Sequence, residues 1–407
     1  MRDGCRGAGV AGMRVLLLSD VYFPRVNGVS TSIRAAIGWL LEAGHAVTLV
    51  APDYGDASRQ AAWDAEYAPR FELVRLPAHT LPFDPEDRLP SRAALRGVLR
   101  ALARRDWDVV HVHTPFRAHQ LGLWMRESTG VPVVETYHTH FEPYVAHYLP
   151  WLPHRLGRWA ARTLSRRQCD AVDHLVVPTQ EMADVLRRYG VRTPWTVLPS
   201  GIESGFAGGD GAAFRLRHGI APERPVMVTI SRLAGEKHIG FLLQVAAQVV
   251  RELPDLLFVV AGEGPDEARL RTLARRLRLD ANVLFVGNLS RNGALQDCYR
   301  AGDAFVFASP TETQGLVLAE AMALGVPIVS TAEMGTASVL REGASAVVAP
   351  HDVDGFARCV LRVLRDRDLR DALSAAGPRD ASQWRVETLM PRMEALYRRL
   401  ANGMVAG

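Results

Sequence analysis

Several features are scarce in this sequence, and each scarcity excludes a class of protein. Its 407 residues hold four cysteines, Cys5, Cys169, Cys298 and Cys359, and none forms a CxxC pair. That spacing suits neither a disulfide framework nor a cysteine zinc site, and it fits a reduced, cytoplasmic setting. No apolar run reaches the roughly 18 residues that a membrane-spanning helix needs. The opening MRDGCRGAGVAG lacks a hydrophobic segment of the signal-peptide kind. Residues 1–12 are expected to be a disordered extension, with Met13 as an alternative start. The net charge is only +4, so a basic surface can arise only by local clustering. With 48% hydrophobic and 23% charged residues the chain is an ordinary globular one, and its length favours two domains over one core.

What is present is a series of short apolar runs, each ending in polar residues. MRVLLLSD (13–20), AVTLVAP (46–52), DVVHVHT (108–114), PVVETYHT (132–139), DHLVVPT (173–179) and TVLPSG (196–201) read as buried parallel strands. IRAAIGWLLEAGH, between the first two, has helical periodicity. The pattern restarts at PVMVTISRL (225–233) and continues through DLLFVVAGEGP (255–265), NVLFVGN (282–288), AFVFASP (304–310) and PIVST (327–331). Repeated strand–loop–helix–strand units make two successive doubly wound, Rossmann-like halves. The expected parts are the extension (1–12), an N-terminal domain (13–200) and a Gly-rich linker (201–222). A C-terminal domain (223–380) and a final helical segment (381–407), broken at Pro391 and packing back on the first domain, complete the chain. Ligands of such sheets bind beyond the carboxyl ends of the strands, which directs attention to Asn27, Gly28, His113, His138, Gly201, Arg232, Gly262, Glu263 and Glu312.

TETQGLVLAEAMALG (311–325) carries the most information. Gly315 lets the backbone approach a ligand closely, and the helix starting at Leu316 offers free N–H groups and a positive dipole end. Glu312 could be a plain helix-end charge. Glu320 lies eight residues on in VLAEAMA, where every neighbour is apolar, and a carboxylate in that position calls for a partner such as vicinal ribose hydroxyls. SRLAGEKHIG (231–240) places Arg232 and Lys237 after a strand, as a diphosphate clamp or as two solvated cations.

HVHTPF and ETYHTHF gather four histidines at strand ends. Their alternation spreads them over separate segments, which disfavours zinc and favours hydrogen bonding to a substrate. In SRAALRGVLRALARR (91–105) the side chains Arg92, Arg96, Arg100 and Arg104 share one helical face without an acid. Like charges four apart destabilise a helix by a few tenths of a kcal/mol per pair, so the stripe suits an anionic partner. PWLPHRLGRWAARTLSRRQ (150–168) sets Arg155, Arg158, Arg162, Arg166 and Arg167 beside Trp151, Leu152, Leu156 and Trp159, again with no acid inside it. A basic amphipathic helix of this kind reads as a membrane-interface element, or as the solvated face of an Arg-rich protein. No nucleic-acid-binding module surrounds either stretch.

Together these motifs resemble the GT-B glycosyltransferases of family 4, over nearly the whole length from MRVLLLSD onward. The most specific element is E-x7-E, matched by Glu312 and Glu320, joined by Arg232 and Lys237, GEGP (262–265), HVHTPF and TYHTHF. The resemblance implies two Rossmann-like domains facing a central cleft and retaining transfer of a hexose from a UDP- or GDP-linked sugar, with no bound metal or cofactor. It also implies that Arg232 and Lys237 bind the diphosphate, that Gly28, Gly262 and the backbone of Gly315, Leu316 and Val317 assist, and that Glu320 holds the ribose. Glu312 would contact the transferred sugar and His138 would sit near its reacting face. Asn27–Gly28 departs from the two glycines common in the family. The N-terminal half looks closest to branches acting on lipids, which implies a lipid or glycolipid acceptor. Docking of Arg92, Arg96, Arg100, Arg104, Arg155, Arg158 and Trp159 on the anionic inner face of a membrane would follow. Two other readings are a nucleotide-sugar epimerase on the same fold and a non-enzymatic binder of anionic membranes.

Overall fold

The computed structural model describes residues 12–55, 71–81, 84–140, 142, 153–340 and 344–403. Most of the expected extension, Cys5, Trp151 and Leu152 lie outside the described residues. The chain forms two compact units. The first comprises Met1–Val177, Leu186–Leu198 and Met390–Gly407, and the second Pro178–Val185 and Pro199–Leu389.

In the first unit, strands β1 (Arg14–Leu18), β2 (Ala46–Pro52) and β3 (Phe71–Leu76) precede an antiparallel pair, β4 (Ala78–Leu81) and β5 (Asp84–Pro90). Strands β6 (Val109–Val112), β7 (Val133–Thr136), β8 (His174–Val177) and β9 (Trp195–Val197) follow. The sheet runs β3-β2-β1-β6-β7-β8-β9, every pair parallel. Its helices are α1 (Gly28–Glu42), α2 (Arg92–Leu102), α3 (Arg117–Thr129) and α4 (His154–Cys169), and it shares α5 (Gln180–Tyr189) with the second unit.

The second unit begins with α6 (Gly211–Arg217) and alternates β10 (Val226–Ile230), α7 (Ile239–Val250), β11 (Leu257–Ala261), α8 (Glu267–Arg276), β12 (Val283–Gly287) and α9 (Ala294–Ala301). Then come β13 (Ala304–Phe307), α10 (Leu316–Ala323), β14 (Ile328–Ser330), α11 (Gly335–Val339), β15 (Ala346–Val348), α12 (Val353–Arg365) and α13 (Arg367–Ala381). Its parallel sheet runs β12-β11-β10-β13-β14-β15, so the strand order reverses between β10 and β13. Successive residues of each strand feed opposite cores, as a two-residue side-chain period requires. Val228, Val259 and Phe305 pack with α9 and α10, whereas Met227, Phe258 and Val306 pack with α7 and α12. In α7 the residues Ile239, Leu242, Leu243, Val245, Ala246 and Val249 are buried. Each large one contributes about 1.5–3 kcal/mol by leaving water.

Two local expectations change. The Gly-rich stretch 201–222 holds the capped helix α6, with Asp210 accepting from the Ala213 amide at 2.9 Å and Phe214 buried. Gly201, Gly209 and Gly211 serve close packing: a Cβ on Gly211 would lie 2.2 Å from the Arg300 carbonyl oxygen. Pro391 does not break the last helix, α14 (Val386–Ala401). The backbone bond that proline removes would have reached back only to the first turn, and buried Leu389, Met390, Met393, Leu396 and Tyr397 hold the helix on both sides of it.

Candidate active site

The site is built from the bottom of the loops upward, at the carboxyl ends of β10 and β13 where the second sheet reverses its order. The loop leaving β10 carries Arg232 and then Lys237, in a short 3-10 turn (Gly235–Lys237) that ends at His238 with φ 56°. The GEGP turn props this loop from below. Gly262 has φ 124°, and a Cβ there would meet the Ser231 carbonyl oxygen at 1.9 Å, so only glycine fits. The Leu233 amide donates to the Glu263 carbonyl at 2.9 Å. The glycines of this motif therefore shape the loop that presents Arg232.

The loop leaving β13 brings Glu312 to Lys237, whose Nζ donates to Oε2 at 2.6 Å. Thr179 Oγ1 donates to the Thr313 carbonyl at 3.1 Å, and the Gln314 amide exchanges two 2.7 Å hydrogen bonds with the backbone of Ser200. Gly315 stands at the N-cap of α10 in the left-handed region (φ 83°), which a side chain disfavours. Gly315 offers α10 no capping side chain, and among the described residues none accepts from the Leu316 or Val317 amide at this positive dipole end. Lys237, Glu312 and the start of α10 thus converge, with Arg232 on the same loop as Lys237.

The corresponding helix of the first unit is closed. α3 follows β6 as α10 follows β13, and the Asp20 carboxylate accepts from the amides of Arg117 at 3.1 Å and Ala118 at 3.2 Å. Burial pushes this carboxyl up to about 6, against the hydrogen bonds from Thr114, Ala118 and Arg117 that pull it down. The chain's own carboxylate occupies the position an anion would take.

Glu320 is buried, its side chain 3% exposed, and its partners come from within the chain. Arg291 Nη2 donates to Oε1 at 2.6 Å and the Tyr299 hydroxyl donates to Oε2 at 2.8 Å. The apolar run VLAEAMA did require a partner for this carboxylate, and sequence reasoning missed both of those supplied. They lie 29 and 21 residues away, beyond any local pattern.

In the first unit Gly28 opens α1, exposed, behind a capping box in which Asn27 Oδ1 accepts from the Ser30 amide at 2.9 Å. Apart from its own helix and chain neighbours, no atom of the described residues lies within 4 Å of where its Cβ would be. Three of the histidines cluster. His113 Nδ1 and His138 Nε2 are 3.3 Å apart, and the rings of His111 and His113 lie 4.1 Å apart. His111 bonds the Tyr397 hydroxyl at 2.5 Å and Thr136 Oγ1 at 2.7 Å, tying α14 to the sheet. Burial lowers His138 to about 4 and His111 to about 3, so both rings are neutral at physiological pH. Among the described residues, no group of three or more His, Cys, Asp or Glu side chains is placed to hold a metal ion.

The two arginine-rich helices differ. On α2 the side chains of Arg92, Arg96 and Arg100 are exposed, as is Arg104 just beyond it, and among the described residues none has an ion-pair partner. On α4, Arg155 is exposed and Trp159 is 63% exposed, flanked by Leu156 at 50% and Leu164 at 59%. Two acids from outside the segment pair with three of its arginines. Glu142 accepts from Arg158 at 2.6 Å and from Arg162 at 2.8 Å, and Asp170 pairs with Arg166 at 3.4 Å. Burial raises the Glu142 carboxyl, yet hydrogen bonds from Arg162, Tyr189 and Arg158 bring it down to about 2.

Comparison with known proteins bears on this geometry. The family description "Glycosyl transferases group 1" matches residues 212–380, and "Glycosyltransferase Family 4" matches residues 26–206. Alpha-monoglucosyldiacylglycerol synthase of Streptococcus pneumoniae is 32% identical over 78% of this chain and 71% of its own. The chain belongs to glycosyltransferase family 4. Within this glycosyltransferase family, D-inositol 3-phosphate glycosyltransferase of Kribbella flavida is 32% identical over 76% of each chain. GDP-mannose-dependent alpha-mannosyltransferase of Mycolicibacterium smegmatis is 29% identical over 86% of this chain and 87% of its own. Among solved structures, sucrose-phosphate synthase from Thermosynechococcus elongatus superposes with TM-score 0.77 at 20% identity, over 96% of this chain and 100% of that one. HepE from Anabaena, in complex with UDP and glucose, gives 0.76 at 17% identity, over 94% and 99%. These likenesses establish the GT-B fold of the family 4 enzyme, two parallel-sheet Rossmann-like domains. No helix among the described residues is long and apolar enough to cross a membrane.

Proposed function

We infer that this glycosyltransferase moves a hexose, glucose or mannose, with retention, from a UDP- or GDP-linked sugar to a hydroxyl of a lipid or glycolipid. The observation that carries the reading is the 2.6 Å Lys237–Glu312 pair beside the uncapped start of α10, at the point where the second sheet reverses its order. Cationic side chains and uncapped helix-start amides suit a diphosphate, and carboxylates suit sugar hydroxyls. The names of the relatives, a glucosyldiacylglycerol synthase and a GDP-mannose-dependent mannosyltransferase, support the hexose, the nucleotide donor and the lipid acceptor.

In this reading the bond from the anomeric carbon to the β-phosphate oxygen breaks, and the acceptor oxygen bonds to that carbon on the same face. The acceptor proton passes to the departing phosphate oxygen, which gains the electron pair of the broken bond. Arg232, Lys237 and the amides of Gly315, Leu316 and Val317 stabilise the charge that develops there. An ammonium has three donors and can serve Glu312 and a phosphate oxygen together. Glu312 orients the sugar and Glu320 the ribose. Gly262 shapes the loop that presents Arg232, and no step requires a metal or cofactor.

The acceptor is taken at the inner face of an anionic membrane, in keeping with a cytoplasmic, peripheral enzyme. The uncompensated stripe Arg92, Arg96, Arg100 and Arg104 supports this docking, as do Arg155 and the exposed Trp159, whereas Arg158 is paired with Glu142. The test is incubation with UDP-glucose or GDP-mannose and vesicles containing diacylglycerol or its glycolipids. The expected result is an α-linked glycolipid in the organic extract, lost in Lys237→Ala. Conversion of the nucleotide sugar with no acceptor would instead favour an epimerase.

A further inference from the structure

We propose that Arg291 is a positioning residue of the donor site, fixing the orientation in which Glu320 accepts from the ribose hydroxyls. The proposal rests on the reading of Glu320 given above. Arg291 follows β12 and its side chain is 8% exposed, so it is a built-in group and not a surface cation. One guanidinium meets three groups. Nη2 donates to Glu320 Oε1 at 2.6 Å, Nε donates to Glu203 Oε2 at 3.2 Å, and the plane lies 5.1 Å from the Phe206 ring centroid. Tyr299 holds the second oxygen of Glu320 from another side.

A flexible carboxylate contacted at one oxygen can still rotate. One held at both oxygens, by a rigid planar fork and by a phenol, has its remaining lone pairs aimed in fixed directions. A carboxylate has about four acceptor sites, so two bonds leave room for the vicinal hydroxyls of a ribose. The contact to Glu203 stops the guanidinium from swinging away, and the aromatic ring adds a cation–π wall. Glu203 follows closely on Ser200, whose backbone bonds the Gln314 side chain. The loop before α10 and the carboxylate on α10 are therefore braced by one segment. Arg291 acts on the ligand only through Glu320, so its effect belongs in donor affinity more than in turnover.

The test is steady-state kinetics of the full chain, with UDP-glucose or GDP-mannose as the varied donor and diacylglycerol vesicles as acceptor, for wild type, Glu320→Gln, Arg291→Met, Arg291→Lys and the double variant Arg291→Met/Glu320→Gln. Glu320→Gln is expected to raise the donor KM about tenfold or more, the range for a lost hydrogen bond to a charged group. Arg291→Met should raise it by a similar factor, with kcat changed less than about threefold. Because the two residues act as one device, the double variant should resemble Glu320→Gln alone. Arg291→Lys keeps the charge but loses the fork, and its KM should rise about fivefold. It also serves as the informative variant should Arg291→Met fail to fold. A wild-type donor KM in Arg291→Met or Arg291→Lys, while Glu320→Gln is impaired, would overturn the proposal. So would a double variant whose KM rise is the product of the two single rises. A wild-type KM in Glu320→Gln would instead remove the ribose reading on which the proposal rests.

Discussion

The two sheets run in the same strand order around their reversal points, with one strand more in the first, yet they treat the helix that follows differently. In the first unit Asp20 closes the start of α3 with its own carboxylate. In the second no side chain among the described residues caps α10, and a cation, Lys237, stands beside its approach with Glu312 as partner. The polar groups kept inside also contrast. The first unit buries a cluster of neutral imidazoles, His111, His113 and His138, and the second buries the Arg291–Glu320 salt bridge. A repeated fold thus supplies two potential anion sites, and side chains at loop ends decide which one is left for a ligand.

The contrast can be broken from either side. Lys237→Ala should produce the largest effect, a loss of about 10²–10³-fold in kcat, as for removal of one preorganised charge-stabilising group. Thermal unfolding close to wild type would confirm that the loss is chemical. On the first unit, His111→Phe removes a ring that bridges Tyr397 and Thr136, and should cost about 2–3 kcal/mol in denaturant unfolding by leaving buried hydroxyls unpaired.

The same histidines give the pH dependence its sign. Their folded pKa values, about 3 for His111 and about 4 for His138, lie below the ordinary 6.5. The unfolded chain therefore binds more protons in that window, and stability is complete above pH 6.5 and is lost as pH falls toward 4. Asp20, raised to about 6, opposes this weakly from pH 6 to 4. Melting temperatures from pH 7.5 to 4.5 check the slope, which His111→Phe should flatten.

Asp20→Ala should cost about 1–2 kcal/mol of stability, the range for a lost helix cap, and leave donor affinity unchanged. A smaller effect separates the two arginine helices. Replacing Arg92, Arg96, Arg100 and Arg104 by Ser should weaken binding to anionic vesicles about tenfold and reduce its salt dependence. Replacing Arg158 and Arg162, which share the single Glu142 carboxylate and keep one net positive charge between them, should change it by less than about threefold. Vesicle sedimentation at two salt concentrations measures both.

Most of this was legible in the sequence where the physics is local. Parallel strands buried on both faces are continuous apolar runs, so β1, β2, β6 and β10 stood out. The edge strand β3, with Glu72 and Arg75 in FELVRL, and the three-residue β15 did not. Glu312, Gly315 and Glu320 were visible through spacing and an incongruous charge, whereas Arg291, Tyr299 and Glu203 come from distant segments. The arginine stretch 150–168 looked uncompensated because its acids, Glu142 and Asp170, lie just outside it. Pro391 and the glycines of 201–222 suggested breaks, and tertiary packing overrode the local signal at both.

The central claim is that the diphosphate is held at the open start of α10 by Lys237 and its neighbours. Calorimetric titration of UDP and GDP into wild type, Lys237→Ala and Asp20→Ala tests it most directly. The account predicts binding of one nucleotide to wild type and Asp20→Ala alike, and at least about tenfold weaker binding to Lys237→Ala. Wild-type affinity in Lys237→Ala, or loss of binding in a folded Asp20→Ala, would contradict it.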